Sequence, residues 1–275
     1  MASRHSAFYA PLLTCVEFLR EEGHEVIYSV LGPGQRSYVL LRNGEVDVMQ
    51  SAVSSNWPLL EQKIEPMPVH FAQINQRDGF FIAGRRPESE FVWQSLEGKT
   101  LLADHGLQPL VMLKYALQHN GVEWKRINVV DAGAPEQMLA AFRSGVGDYL
   151  HLQGPVVTGE IVASVGASMP PVAFSSLCCA RAFQNSDGYL VFLKAYQSAR
   201  EWVRSAPGDT AAGKLAAFFP GIGVEHLAAA IARYQSIGCW EGGIEIERDL
   251  YEQALNVFQT VGAVTRRYSY EDVVG

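Results

Sequence analysis

Hydroxyl groups fall at Ser51, Ser54 and Ser55, and Asn56 and Trp57 follow directly. Small polar side chains that end in a large ring can hydrogen-bond a compact ligand and wall it with an aromatic face. The same residues also suit helix capping by Ser or Asn, with Trp57 packed between structural units. Gln153, in Gln153-Gly-Pro155, is a second hydrogen-bonding candidate. Ser6, Phe8 and Tyr9 precede an apolar stretch of helical spacing. Backbone N–H groups there could hold an anion and the rings could stack on a planar ligand. The alternative is that Ser6 caps the helix and both rings enter the core. Gly34, in the turn Gly32-Pro-Gly34, offers backbone donors or is a plain connector. Arg77 suits a carboxylate or sulfonate of a ligand, or pairs with its neighbour Asp78. His105, in Asp104-His-Gly106, is a donor or a base.

Other chemistry has less support. Cys15, Cys178, Cys179 and Cys239 lack zinc-site spacing, so no metal and no cofactor is expected. The adjacent Cys178 and Cys179 read as small hydrophobes alternating across a strand. A nucleophilic cysteine would need Cys15 or that pair beside His105 or His5 in a cleft. The net charge of −7 argues against nucleic acid and anionic membranes as partners. With 48% hydrophobic and 19% charged residues the chain is globular, and no apolar run is long enough for membrane insertion.

Two similar units position these residues. Leu41-Arg-Asn-Gly44-Glu-Val-Asp47 and Phe142-Arg-Ser-Gly145-Val-Gly-Asp148 each fit a helix that stops at a glycine and turns into a buried strand. Ser51 follows the first strand and Gln153 ends the second. The space beyond a strand's C-terminal end is where open α/β sheets bind ligands. Residues 9–22 read as a helix and 24–31 as a strand, with 57–62 a short helix. Residues 68–74, 79–84, 127–130, 161–165 and 172–177 read as further strands. Helical periodicity dominates from about 186 onward, clearest over 190–203. The expectation is an α/β protein with a helical C-terminal region.

The chain resembles the solute-binding proteins of ABC importers, in the branch of sulfonate, nitrate and thiamine-pyrimidine-precursor binders. The match runs nearly the whole length, through Ser6-Ala-Phe-Tyr-Ala-Pro-Leu12, Glu21-Glu-Gly-His-Glu-Val26, both Gly-x-x-Asp units, Ser95-Leu-Glu-Gly-Lys-Thr100, and Ala195-Tyr-Gln-Ser-Ala-Arg-Glu-Trp-Val203 with Pro207. The resemblance implies a two-lobed, periplasmic-binding-protein-like (type II) fold. Its lobes would be 1–87 with 182–275, and 88–181, closing on a small-molecule ligand by hinge motion. It further implies a monomer and an ABC permease as partner. The location would be periplasmic or cell-surface where a signal peptide has been removed, and cytoplasmic otherwise.

Enzymes occupy the same scaffold, among them thiamine-pyrimidine synthases, menaquinone-pathway enzymes and aromatic decarboxylases or desulfinases. The synthases resembled here attach pyridoxal phosphate through a lysine just after the first Gly-x-x-Asp strand. This chain has Val48-Met-Gln-Ser-Ala-Val53 there, and Lys63 lies beyond the next helix. That tilts the reading toward a non-catalytic binder, with a ligand-sensing protein and an enzyme as alternatives.

Overall fold

The computed structural model describes residues 1–155 and 158–275. Two sheets form the frame. The first holds β1 (Val48–Ser51), β2 (Val69–Asn75) and β8 (Ser175–Cys179) in the order β1-β8-β2, with both pairings antiparallel. The second holds β3 (Phe80–Gly84), β4 (Thr100–Leu102), β5 (Asn128–Val130), β6 (Tyr149–Gln153) and β7 (Glu160–Ser164) in the order β5-β4-β6-β3-β7. The helices are α1 (Ala10–Glu21), α2 (Ser37–Arg42), α3 (Trp57–Glu61), α4 (Leu107–His119), α5 (Pro135–Arg143), α6 (Asp187–Ser205), α7 (Gly208–Leu215), α8 (Val224–Ser236), α9 (Arg248–Thr260) and α10 (Tyr270–Val273). Short helices flank strands in both lobes and α6 to α10 close the chain, giving the two-lobed, periplasmic-binding-protein-like fold.

The paired glycine units behave alike. Gly44, at φ +70°, ends α2, and Glu45 N–H reaches back to Leu40 O at 3.0 Å. Gly145, at φ +99°, ends α5, and Val146 N–H reaches Ala141 O at 3.0 Å. Both are helix stops that need a left-handed residue, which glycine adopts without a Cβ penalty. Asp148 is a turn residue whose carboxylate accepts from Thr100 N–H at 2.8 Å.

The chain crosses between sheets at 76–79 and at 165–174. The expected lobe boundaries at 87 and 181 therefore fall late. β3 pairs with β6 and β7 in the second sheet, and β8 pairs with β1 and β2 in the first. Arg77 links the two crossings by donating to Gly166 O and Met169 O, both at 3.0 Å.

The helical region is pinned to the first sheet from beneath. Tyr196 O–H donates to Gln73 O at 2.7 Å, and the buried Arg200 guanidinium donates to Gln73 O at 3.1 Å and Glu241 O at 2.7 Å. Cys178 and Cys179 alternate in β8, one packing with Leu41 and Met49 and the other in the main core. The strand expected over 24–31 does not form; only Val30 makes a bridge, to Ala2.

Candidate functional site

A cavity of about 560 Å³ lies between the lobes. The segment 3–5 and the turn at 30–33 wall it from one side. The end of β6, the N-terminus of α5, Phe80 and Asp104 wall it from the other.

The arginine in this wall is not free. Arg4 Nη1 lies 2.6 Å from Asp104 Oδ2. Asp104 Oδ1 also accepts from Gly106 N–H at 2.7 Å. Burial alone would raise the Asp104 carboxyl, but the Arg4 charge and hydrogen bond outweigh it and hold the group below its ordinary value. The guanidinium is held protonated in return, with Asp104 outweighing its desolvation. Ser3 stands beside them, its hydroxyl donating to Gln50 Oε1 at 2.5 Å.

His151 is fully buried, and neither ring nitrogen has a hydrogen-bond partner among the described residues. It stacks on Phe80 at 4.6 Å between centroids, because Phe80 pairs with Gln153 and His151 is the diagonal neighbour on the same face. Burial drives its pKa down to about 3, so the ring is neutral, with one donor and one acceptor unsatisfied. Gln153 Oε1 is likewise buried without a partner among the described residues. A ligand that offers both a donor and an acceptor would satisfy this wall.

The residues singled out from sequence are scattered. Of the ligand-contact candidates among the described residues, Gln153 alone lines this cavity, and His5, named above only as a base for a reactive cysteine, lines it as well. Ser6 caps Phe8 N–H at 3.2 Å and donates to Gly154 O at 2.9 Å, tying one wall to the other. Phe8 and Tyr9 are core residues, and Phe8 packs edge-on to Phe174. Gly34, at φ +76°, shapes an exposed turn, while its neighbours Gly32 and Pro33 line the cavity. Ser51 bonds Ser55 at 2.9 Å, and Ser54 donates to Gln108 Oε1 at 2.6 Å. Trp57 is no pocket wall: it is 1% exposed, stacked on Tyr268 and bonded to Tyr251 O–H at 3.1 Å. Arg77 staples the crossings, not a ligand. His105 is exposed, with Nδ1 on Ala103 O at 2.8 Å.

Arg4, Asp104, Glu136 and His151 carry the wall and were not singled out. The signal for His151 was present: a lone polar ring inside Tyr149-Leu-His-Leu-Gln153, which closes the second glycine unit. None of the four cysteines and no lysine lines the cavity.

No protein-family profile matches the chain. A candidate binding protein, YtlA of Bacillus subtilis (strain 168), is 25% identical over 284 residues, covering 98% of this chain and 85% of that protein. The zinc-bound ligand-binding component of an ABC-type import system from Staphylococcus aureus superposes with TM-score 0.77 at 12% identity, covering 100% of this chain and 94% of that one. The periplasmic aliphatic sulphonate-binding protein SsuA from Escherichia coli superposes with TM-score 0.72 at 15% identity, covering 98% and 94%. At these identities the structural likeness is one of fold.

Proposed function

We propose that this chain is the solute-binding component of an ABC importer and that its lobes close on a small organic ligand at the inter-lobe cavity. The fold likeness to importer components and the full-length similarity to YtlA support the role. The cavity's size, about 560 Å³, suits a small metabolite. The extracytoplasmic location, the permease partner and the monomeric state belong to the same proposal.

The carrying observation is the unsatisfied His151–Gln153 wall beside a neutralised arginine. An anion such as a sulfonate finds no uncompensated cation there, because Asp104 already occupies the guanidinium and Glu136 adds a further negative charge to the wall. An uncharged or weakly basic planar heterocycle with an adjacent donor and acceptor fits better. It would use the neutral imidazole and the Gln153 carbonyl, and the ring of Phe80, on the same face as His151, would flank it. A cysteine-based enzyme lacks support here, since burial raises the Cys15 thiol and no cysteine lines the cavity.

A thermal-shift and calorimetric panel of uncharged aminopyrimidines, aromatic acids and alkanesulfonates tests the reading. A ligand at one hundred times Kd stabilises a one-site protein by about 2.7 kcal/mol. The uncharged heterocycles are expected to give the larger shifts. Turnover of a bound compound would overturn the binding role.

A further inference from the structure

Arg200, on α6, is a buried cation without an anion. It is 1% exposed, and its guanidinium donates to three carbonyls: Gln73 O at 3.1 Å, Glu241 O at 2.7 Å, and Ile74 O. Among the described residues no carboxylate pairs with it. The Glu241 carboxylate is taken instead by Arg204, at 2.8 Å. The Arg200 Nε–H is buried with no hydrogen-bond partner among the described residues. Carbonyl dipoles solvate a guanidinium but leave its charge uncompensated, and buried charges are ordinarily paired.

A pocket of about 200 Å³ opens beside this side chain. Arg200, Glu201 and Arg204 of α6 form one side, and Gly242 and Gly243, in the turn beyond α8, form the other. Four residues apart, the two arginines share one face of the helix. Arg200 lies at the deep end, because Arg204, Glu201 and both glycines are exposed. The N–H groups of Gly242, Gly243 and Ile244 have no backbone partner among the described residues. No residue of this pocket lines the inter-lobe cavity. It lies instead against the end of β2, whose Gln73 and Ile74 carbonyls Arg200 holds just before the first crossing.

We infer that this pocket binds a small tetrahedral oxyanion, phosphate or sulfate, between the guanidinium groups of Arg200 and Arg204 and the N–H groups of the 242–244 turn. The ion supplies the negative charge that Arg200 lacks. Guanidinium forks match the oxygens of such an ion, and successive backbone N–H groups form a concave donor surface for it. The volume admits one ion and is small for an organic metabolite or a chain segment. Glu201 opposes the ion from the rim, and being exposed it does so through a screened charge.

Titration of the full chain with phosphate, sulfate and chloride at constant ionic strength tests this, read by NMR shifts of the backbone amides. The amides of 242–244 are expected to shift saturably with phosphate and sulfate, at a Kd of about 1 mM or tighter, and not with chloride. Arg204 and Glu201 are exposed, so their variants keep the fold. Arg204→Gln should weaken binding at least about tenfold, and Glu201→Gln should tighten it roughly threefold. Shifts that stay linear to about 50 mM, or that saturate equally with chloride, would overturn the proposal. So would saturable shifts at other amides that neither variant alters, because the ion would then sit elsewhere.

Discussion

Arg4 and Asp104 meet 2.6 Å apart across the inter-lobe cavity, one from the segment leading into α1 and the other from the end of β4. The pair joins the lobes and removes the cavity's arginine from the set of anion ligands. Asp104→Asn keeps the shape and the acceptor for Gly106 N–H while freeing the guanidinium. Calorimetry is expected to show alkanesulfonate affinity rising about tenfold, or about 1.4 kcal/mol. An unchanged sulfonate affinity would show that Arg4 does not reach the ligand. Arg4→Met leaves the buried Asp104 carboxylate without its partner, and urea unfolding should show a loss of about 1–3 kcal/mol.

His151 separates stability from binding. Its two nitrogens are buried and unpartnered, so the apo protein carries the full desolvation of a polar ring. His151→Leu replaces it with an apolar side chain beside Phe80. The apo protein is expected to be as stable as the wild type or more stable by up to about 1 kcal/mol, since removing an unsatisfied buried group is neutral or stabilising. Affinity for any heterocycle that the ligand panel identifies should fall at least about tenfold. If both properties fall together, His151 is a packing residue and the wall works otherwise.

Much of the fold could be read from the residues. The amphipathic runs of α6, α8 and α9 and the glycine stops at Gly44 and Gly145 are local signals, and they appear where periodicity and turn chemistry place them. The lobe assignment of β3 and β8 was not local. Phe80–Gly84 and Ser175–Cys179 are apolar runs buried throughout, and nothing in such a run says which sheet it joins. Residues 24–31 alternate correctly but need a partner to become a strand, and pairing is not a property of the segment alone. At the site, hydroxyls and rings next to turn residues drew attention to Trp57 and His105, whereas burial decides the matter. Trp57 fills the core against α9, and the buried His151 takes the place expected of His105.

Four groups set opposing pH slopes. Burial lowers His70 and His151 to about 3 from 6.5, so between those values the unfolded chain binds protons that the folded rings refuse. Stability therefore falls as pH drops through that window. Burial raises the Asp78 carboxyl to about 8 from 3.8, so the folded state keeps a proton that the unfolded chain releases, and stability falls as pH rises toward 8. The Met1 amine, lowered to about 6 from 8.0, acts in the opposite sense between those values. The wild-type curve is thus expected to be nearly flat from about pH 6.5 to 8. In Asp78→Asn the amine is unopposed, and stability should rise across that span by roughly 2 kcal/mol in urea titrations. A variant curve parallel to the wild type would show that Asp78 is ionised in the folded protein.

The two crossings are held at van der Waals limits by Gly166. A Cβ built at residue 166 would lie 2.1 Å from Asp78 O, which is backbone and cannot swing aside. Gly44 differs: its surroundings are open and only its φ of +70° disfavours a side chain. Gly44→Ala should therefore lose about 1–2 kcal/mol through backbone strain alone. Gly166→Ala must either part the crossings or carry the overlap, and the expected loss is about 3 kcal/mol or more, with the Arg77 bonds to residues 166 and 169 disturbed as well. Parting the crossings also changes how the lobes meet, so ligand affinity should fall in Gly166→Ala and stay near wild type in Gly44→Ala. Equal losses of stability and affinity in the two variants would mean that the close approach at 166 does not set the relation between the lobes.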